Sequence, residues 1–300
     1  MPILVLLLCV GALGALRFWR ARQADPALLA RRFPASVSTI LYFDVGALSA
    51  SGILPRLAGQ PGTQEGDYLR FVEETGFDYQ RDLRSVMFGF GAEATYAFAS
   101  GTFDWEVFHN YAEGRNGTCR FSICRMPAYG NNRAISWAPF QKNVIAISIG
   151  QDQWGAAELT GGALQSRAGG PEGAPVWLAS TGQALRNAAS LPEGTRSFTR
   201  ILEPADSVMF AIQPHTAGAD LEVSLSAMCR EPAVASRVAR ELAELTATLN
   251  TMLQRENRKP NPADLSGVLS AGKFQAQSQR VTGSWPLPRK FMETLLASNP

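Results

Sequence analysis

The sequence predicts an α+β fold: a mostly antiparallel sheet built from repeated strand–strand–helix units, helices packed on one face, in two similar halves, preceded by an N-terminal transmembrane helix. Three observations predict it. First, pairs of β-rich runs joined by short turns, each pair followed by helical periodicity, recur near residues 85–113, 133–160 and 206–258. Hairpins followed by helices give antiparallel pairing with the helices laid on the sheet. Second, hydrophobic residues make up 46% and aromatics 9% of the 300 residues, enough for a large buried core. That composition excludes a disordered chain, and four cysteines are too few for a disulfide framework. Third, Ile3 to Leu16 reads ILVLLLCVGALGAL, without a single charge.

That leader defines the first segment, residues 1–22. With Phe18 and Trp19 the run Met1 to Trp19 reaches roughly 28 Å as a helix, just enough to span a hydrocarbon core of about 30 Å. Residues 3–19 are therefore expected to enter the membrane. An uncleaved anchor, a cleaved signal peptide with small residues around Ala12-Leu13-Gly14, and a buried core helix are the three readings. The run has no polar face, which argues against the core helix. Arg17, Arg20 and Arg22 follow it, so the positive-inside rule taken literally puts the body in the cytoplasm. The body is nevertheless expected at an inner membrane, facing the periplasm or cell exterior, with the cytoplasmic face as the alternative.

Residues 23–34 form a polar tether, 35–160 the first α+β half, 161–175 a linker or surface loop, and 176–300 the second half. Val37 to Val45 reads as a buried strand. Thr63 to Gly76 reads as a helix with Tyr68, Phe71, Val72 and Thr75 on one face. Ser85 to Phe90 and Thr95 to Ser100 are strands around Gly91-Ala92-Glu93. Asp104 to Glu113 is a helix with Trp105, Phe108 and Tyr111 in periodic spacing. Asn116-Gly117 marks a tight turn. Arg133 to Ala138 and Asn143 to Ile149 form a hairpin, and Asp152 is an N-cap for a helix running to Thr160. The stretch GGALQSRAGGPEGAP is the linker. Ser207 to Gln213 and Leu221 to Cys229 are strands. Pro232 opens a long amphipathic helix whose apolar positions are Val234, Val238, Leu242, Leu245, Leu249 and Met252. Leu245 and Leu249 are expected in the core. A short helix from Ala263 to Leu269, one strand from Phe274 to Trp285 and a helix from Pro288 to Leu296 complete the chain.

The phrases FDVGAL (Phe43 to Leu48), FVEETGFDYQRDL (Phe71 to Leu83), GTFDWEVFHNYA (Gly101 to Ala112) and NPADLSGVL (Asn261 to Leu269) follow a single apolar leader. Together they resemble a group of uncharacterised membrane-anchored bacterial proteins, distantly similar to the DUF3352 type, over most of the chain from Pro34 onward. The resemblance implies an extracytoplasmic α+β domain and carries no functional residues with it.

Chemistry-bearing motifs are few. Gly89 to Ala94 matches G-x-G-x-x-A, but a β-patterned run follows where a dinucleotide site needs a helix, so it reads as a hairpin turn. G-x-S-x-G, H-E-x-x-H and the P-loop pattern are absent from the sequence. The two histidines, His109 and His215, are too few for a histidine-rich metal site and read as surface or cap residues. Cys119 and Cys124 frame CRFSIC. As a zinc half-site this lacks a second ligand pair, and as one extended strand the cysteines are too far apart to bond. A disulfide needs a turn across Arg120 to Ile123, and an exported body favours that disulfide over two unpaired thiols. Cys229 reads as a buried thiol. No metal and no cofactor are expected.

From Gly114 to Gln151 there are five basic residues and no acid. Arg115, Arg120, Arg125 and Arg133 form the candidate binding patch, for an anionic envelope component such as lipid headgroups or polymer, or for a protein partner. A charged hairpin edge kept from edge pairing would look the same. Net charge of +2 gives no case for nucleic acid. These observations add up to a membrane-anchored, extracytoplasmic, non-catalytic structural or interaction protein. The alternatives are an envelope hydrolase with a dispersed site, which needs a pocket bringing His109 or His215 to Ser and Asp, and a small-molecule carrier with a pocket between the halves.

Overall fold

The computed structural model describes residues 25–51, 66–128, 133–167, 169–186, 193–214 and 221–297. In chain order its elements are α1 (Pro26–Ala30), β1 (Val37–Asp44), α2 (Val45–Ala50), α3 (Gly66–Thr75), α4 (Tyr79–Asp82), β2 (Leu83–Gly91), β3 (Ala94–Gly101), α5 (Trp105–Gly114), β4 (Thr118–Arg120), β5 (Ile123–Pro127), β6 (Ala134–Gln141), β7 (Val144–Gly150), α6 (Ala156–Gly161), β8 (Val176–Ser180), α7 (Gly182–Arg186), α8 (Glu193–Ile201), β9 (Ser207–Pro214), β10 (Leu221–Met228), α9 (Pro232–Arg255), α10 (Leu265–Leu269), β11 (Lys273–Gln277), β12 (Arg280–Leu287) and α11 (Arg289–Ala297). The fold is α+β with extensive antiparallel sheet. Among the described residues no helix is long and apolar enough to cross a membrane. The expected membrane segment, residues 3–19, lies outside the described residues.

The chain divides into two units, residues 1–37 with 72–169, and residues 38–71 with 170–300. The sequence reading put 35–160 in one half and 176–300 in the other. The return at 169/170 falls inside the expected linker, but β1 does not stay with the first half. It pairs antiparallel with β8, Thr39 opposite Ser180 and Tyr42 opposite Trp177. Pairing partners over such a separation leave no mark in local pattern. The 23–34 stretch is not a free tether from Asp25 onward. Asp25 caps α1, and Leu29, Ala30 and Phe33 are buried.

In the first unit the strands run in the order β2-β3-β7-β6-β5-β4. Their pairings are antiparallel, as short turns at Ala92–Glu93 and Lys142–Asn143 demand. Phe33 packs on Phe98, ring centroids 5.3 Å apart, over Gly89, where a Cβ would come within 2.7 Å of the Phe33 ring. The G-x-G-x-x-A match is thus a hairpin, its first glycine making room for an aromatic ring. Ser136 Oγ accepts from Ala156 N at 3.0 Å and the Tyr96 hydroxyl donates to Glu158 at 2.7 Å, which fixes α6 on the strands. Burial, then the Glu158 carboxylate, push the Tyr96 phenol above its usual range. Asp152 does not cap α6. Its carboxylate accepts from Trp154 N two residues on, closing a separate turn, and Gly155 stands at the cap position. Arg167, in the expected linker, donates to the Pro34 and Val37 carbonyls at 2.8 Å each, so that segment is tied down.

In the second unit the order is β11-β12-β10-β9-β8-β1. The run read as one strand from Phe274 to Trp285 is two strands folded at Ser278, whose φ of 53° reverses the chain. Helix α9 buries Ala235, Val238, Ala239 and Leu242 in one cluster with Leu225, Ala227, Val281 and Trp285 of the strands, and buries Thr246 one turn further on. Leu245 and Leu249 are only partly buried and Met252 is 55% exposed. The buried stripe drifts toward Thr246 because 3.6 residues per turn carries the apolar face round the helix.

Candidate functional site

The candidate site is built from α5 and the β4–β5 hairpin in the first unit. Asp104 caps α5 by accepting from Glu106 N and Val107 N at 3.2 and 3.3 Å. Phe108 and Ala112 face inward, Phe108 meeting the stacked pair Phe77–Phe103 edge-on. His109 and Glu113 lie one turn apart on the rim of the buried face, His109 Nε2 at 3.2 Å from Glu113 Oε1.

Asn116-Gly117 makes the tight turn its dipeptide predicts. It turns the chain from α5 into β4, with Asn116 at φ 58° and Gly117 N donating back to the Ala112 carbonyl at 2.8 Å. A Cβ on Gly117 would sit 2.5 Å from both the Ala112 and Arg125 carbonyl oxygens, so only glycine lets the hairpin approach the helix end this closely.

The hairpin turns on two residues, Phe121 and Ser122, at φ 48° and 70°. Positive φ at both central positions is the type I′ arrangement, which matches strand twist but favours Asn-Gly. Arg120 pairs with Ile123, and the next pair is Cys119 with Cys124, Cα atoms 4.0 Å apart. Side chains approach most closely in such a non-hydrogen-bonded pair, and the two cysteines are disulfide-bonded. Phe121 is 100% exposed.

The four candidate arginines do not share one surface. Arg120 and Arg125 both stand over the Trp154 ring, their guanidinium carbons 5.8 and 5.3 Å from its centroid. Arg125 also donates to Gln153 Oε1, and its Nε is buried without a partner among the described residues. Arg115 is drawn away: it donates to Glu74 Oε1 at 2.8 Å and lies over Tyr111. The acid-free stretch is locally neutralised there by a carboxylate distant in sequence. Arg133 is exposed just before β6, beside Ala128 at the end of β5 away from the turn. The effective basic pair is Arg120 with Arg125.

His109, read from sequence as an ordinary surface residue, belongs to the site. Its Nδ1 is 3.7 Å from Cys124 Sγ. His215 lies outside the described residues. An open groove along α5 is lined by Glu74, Val107, Asn110, Tyr111, Gly114 and Arg115, with no residue of the hairpin in its lining. The partners of His109 are a sulfur and a carboxylate, and neither is a serine nucleophile.

No family model matches the chain, and no curated protein matches it. Among solved structures it is similar to TP0453. Crystal form IV of that protein is 11% identical over 92% of this chain and 98% of that one, with a TM-score of 0.48. Form I gives 12% identity, 91% and 97% coverage, and a TM-score of 0.46.

Proposed function

We propose that this is a non-catalytic interaction protein, held at a membrane by residues 3–19 and facing the periplasm or cell exterior, whose hairpin tip docks on anionic lipid headgroups. The strand–strand–helix repetition in two similar halves is the scaffold in this reading. The observation that carries it is the fully exposed Phe121 side chain on a turn closed by a disulfide, in a hairpin that also carries Arg120 and Arg125. An apolar ring held in water costs free energy and is relieved at a headgroup–acyl boundary. Flanking arginines add attraction to lipid phosphates, about 1 kcal/mol each near an anionic surface. A purely polar anionic polymer would use the arginines and leave the ring without a role.

The test uses the full chain in neutral phosphatidylcholine nanodiscs, presented with separate vesicles. Vesicles containing phosphatidylglycerol should be captured and pure phosphatidylcholine vesicles should not. Joint Arg120→Gln and Arg125→Gln substitution should weaken capture roughly thirtyfold, from about 2 kcal/mol lost. Phe121→Ser, at a fully exposed position, should weaken it with the fold intact. Equal capture of both vesicles, or capture indifferent to Phe121, would overturn the reading.

A further inference from the structure

We propose that the β4–β5 hairpin and α5 form a redox-gated metal site, in which Cys119 Sγ, Cys124 Sγ and His109 Nδ1 bind one thiophilic divalent cation of the Zn²⁺ class once the disulfide is reduced. The three ligand atoms already lie within 4.8 Å of one another. Tetrahedral zinc, with bonds of about 2.3 Å to sulfur and 2.0–2.1 Å to nitrogen, holds its ligand atoms roughly 3.5–3.8 Å apart. The His109 Nδ1–Cys124 Sγ separation is 3.7 Å. Opening the S–S bond lets the two sulfurs relax to a similar spacing with no change of register, since Cys119 and Cys124 are direct cross-strand partners.

The histidine is oriented for this role. Glu113 Oε1 lies 3.2 Å from Nε2. An Nε2–H donated to that carboxylate leaves the Nδ1 lone pair facing the sulfurs, the carboxylate–histidine–metal pattern. Cys124 is buried, Cys119 half-buried and the His109 side chain 48% exposed, so the ligands converge from the protein side and solvent reaches the other. Three protein ligands plus one water is the open zinc geometry. Arg120 and Arg125 are the chain neighbours of Cys119 and Cys124, and cations this near favour thiolate over thiol. Two thiolates cancel the cation's charge, so the loaded site adds no net charge beside them.

The chemistry balances as follows. A dithiol reductant gives two electrons and two protons to the Cys119–Cys124 bond, becoming a disulfide itself and leaving two thiols here. The cation then displaces both thiol protons to solvent. Exchange with a disulfide oxidant reverses this: the two thiolates pass two electrons to it, it leaves as a dithiol with two protons from solvent, and the metal is released because disulfide sulfurs carry no thiolate charge. Two of the ligands were visible in sequence as a half-site. The third comes from a helix ten residues earlier and was not.

The test uses the full chain carrying Cys9→Ser and Cys229→Ala, reduced with a phosphine and titrated anaerobically with Zn²⁺ against a chromophoric chelator. Reduced protein should bind one equivalent and oxidised protein none. His109→Ala should weaken binding at least about tenfold, and Glu113→Gln about tenfold. Co²⁺ in place of Zn²⁺ should show thiolate-to-metal charge transfer only after reduction. If reduced and oxidised forms bind Zn²⁺ alike, the inference is overturned by that comparison alone, with no variant needed. Binding that ignores His109→Ala would likewise remove the three-ligand site.

Discussion

Replacing Phe121 by Asn and Ser122 by Gly tests the hairpin tip from both sides. Both residues sit at positive φ, 48° and 70°. The left-handed conformation costs roughly 1–2 kcal/mol for an ordinary residue. Asn tolerates it and Gly adopts it freely, but Gly in the unfolded chain carries roughly 0.5–1 kcal/mol of extra entropy. Phe121 is fully exposed, so its removal uncovers nothing. The balance is a gain of about 1 kcal/mol, or about 2–4 °C in Tm for a domain of this size. Thermal unfolding of the full chain, followed by far-ultraviolet circular dichroism with the disulfide intact, reads it. The same variant should lose capture of phosphatidylglycerol vesicles. A Tm that stays level or falls would refute the strain argument. A stabilised variant that still captures vesicles as before would refute the use assigned to Phe121.

Four further outcomes follow from the packing and the hydrogen bonding. Leu242→Ala removes a fully buried side chain from the α9 cluster; three lost carbons at about 0.8 kcal/mol each plus a cavity term give roughly 3–4 kcal/mol in urea unfolding. Met252→Ala on the same helix, 55% exposed, should stay within about 0.5 kcal/mol. Gly117→Ala forces a Cβ against two carbonyl oxygens and should cost roughly 1–3 kcal/mol, with the His109 ring resonances shifting as hairpin and helix part. Acid titration should weaken the fold below the usual carboxylate range. Hydrogen bonds from Arg81 to Asp82, and from Ser266 to Asp264, hold both pKa values low, so their contribution is complete above about pH 4 and disappears as pH falls through the depressed values. Asp264→Asn should flatten that dependence.

Local pattern made some elements legible and left others hidden. Helix α9 was readable because Val234 to Leu249 repeats at helical spacing, yet which of those positions reach the core depends on where the strands lie. The two hairpins beside it read differently: β9–β10 is separated by a turn-rich run, whereas the β11–β12 reversal at Ser278-Gln279 has neither glycine nor proline to mark it. Strand β8 went unread, because five residues after a glycine-rich loop give too short a period. At the site, C-x4-C announced that a turn was needed but could not name His109, which α5 delivers from the next element. Arg115 looked like part of a basic patch until Glu74, some forty residues away in sequence, took it up.

If residues 3–19 enter a bilayer as proposed, the burial of Phe33 and the capping of α1 by Asp25 set how closely the folded body stands to it. On the reading that residues 3–19 lie in the bilayer, five residues, 20–24, stand between the span and the α1 cap Asp25. Fully extended, that connection measures at most about 18 Å. On that reading the connection would be a short leash, holding the first unit over a small circle of bilayer. A hairpin on such a leash samples headgroups of its own leaflet at high effective concentration, so weak contacts at its tip suffice there. Lengthening the leash with a glycine–serine insert after Gln23 would dilute that advantage without touching a residue of the tip.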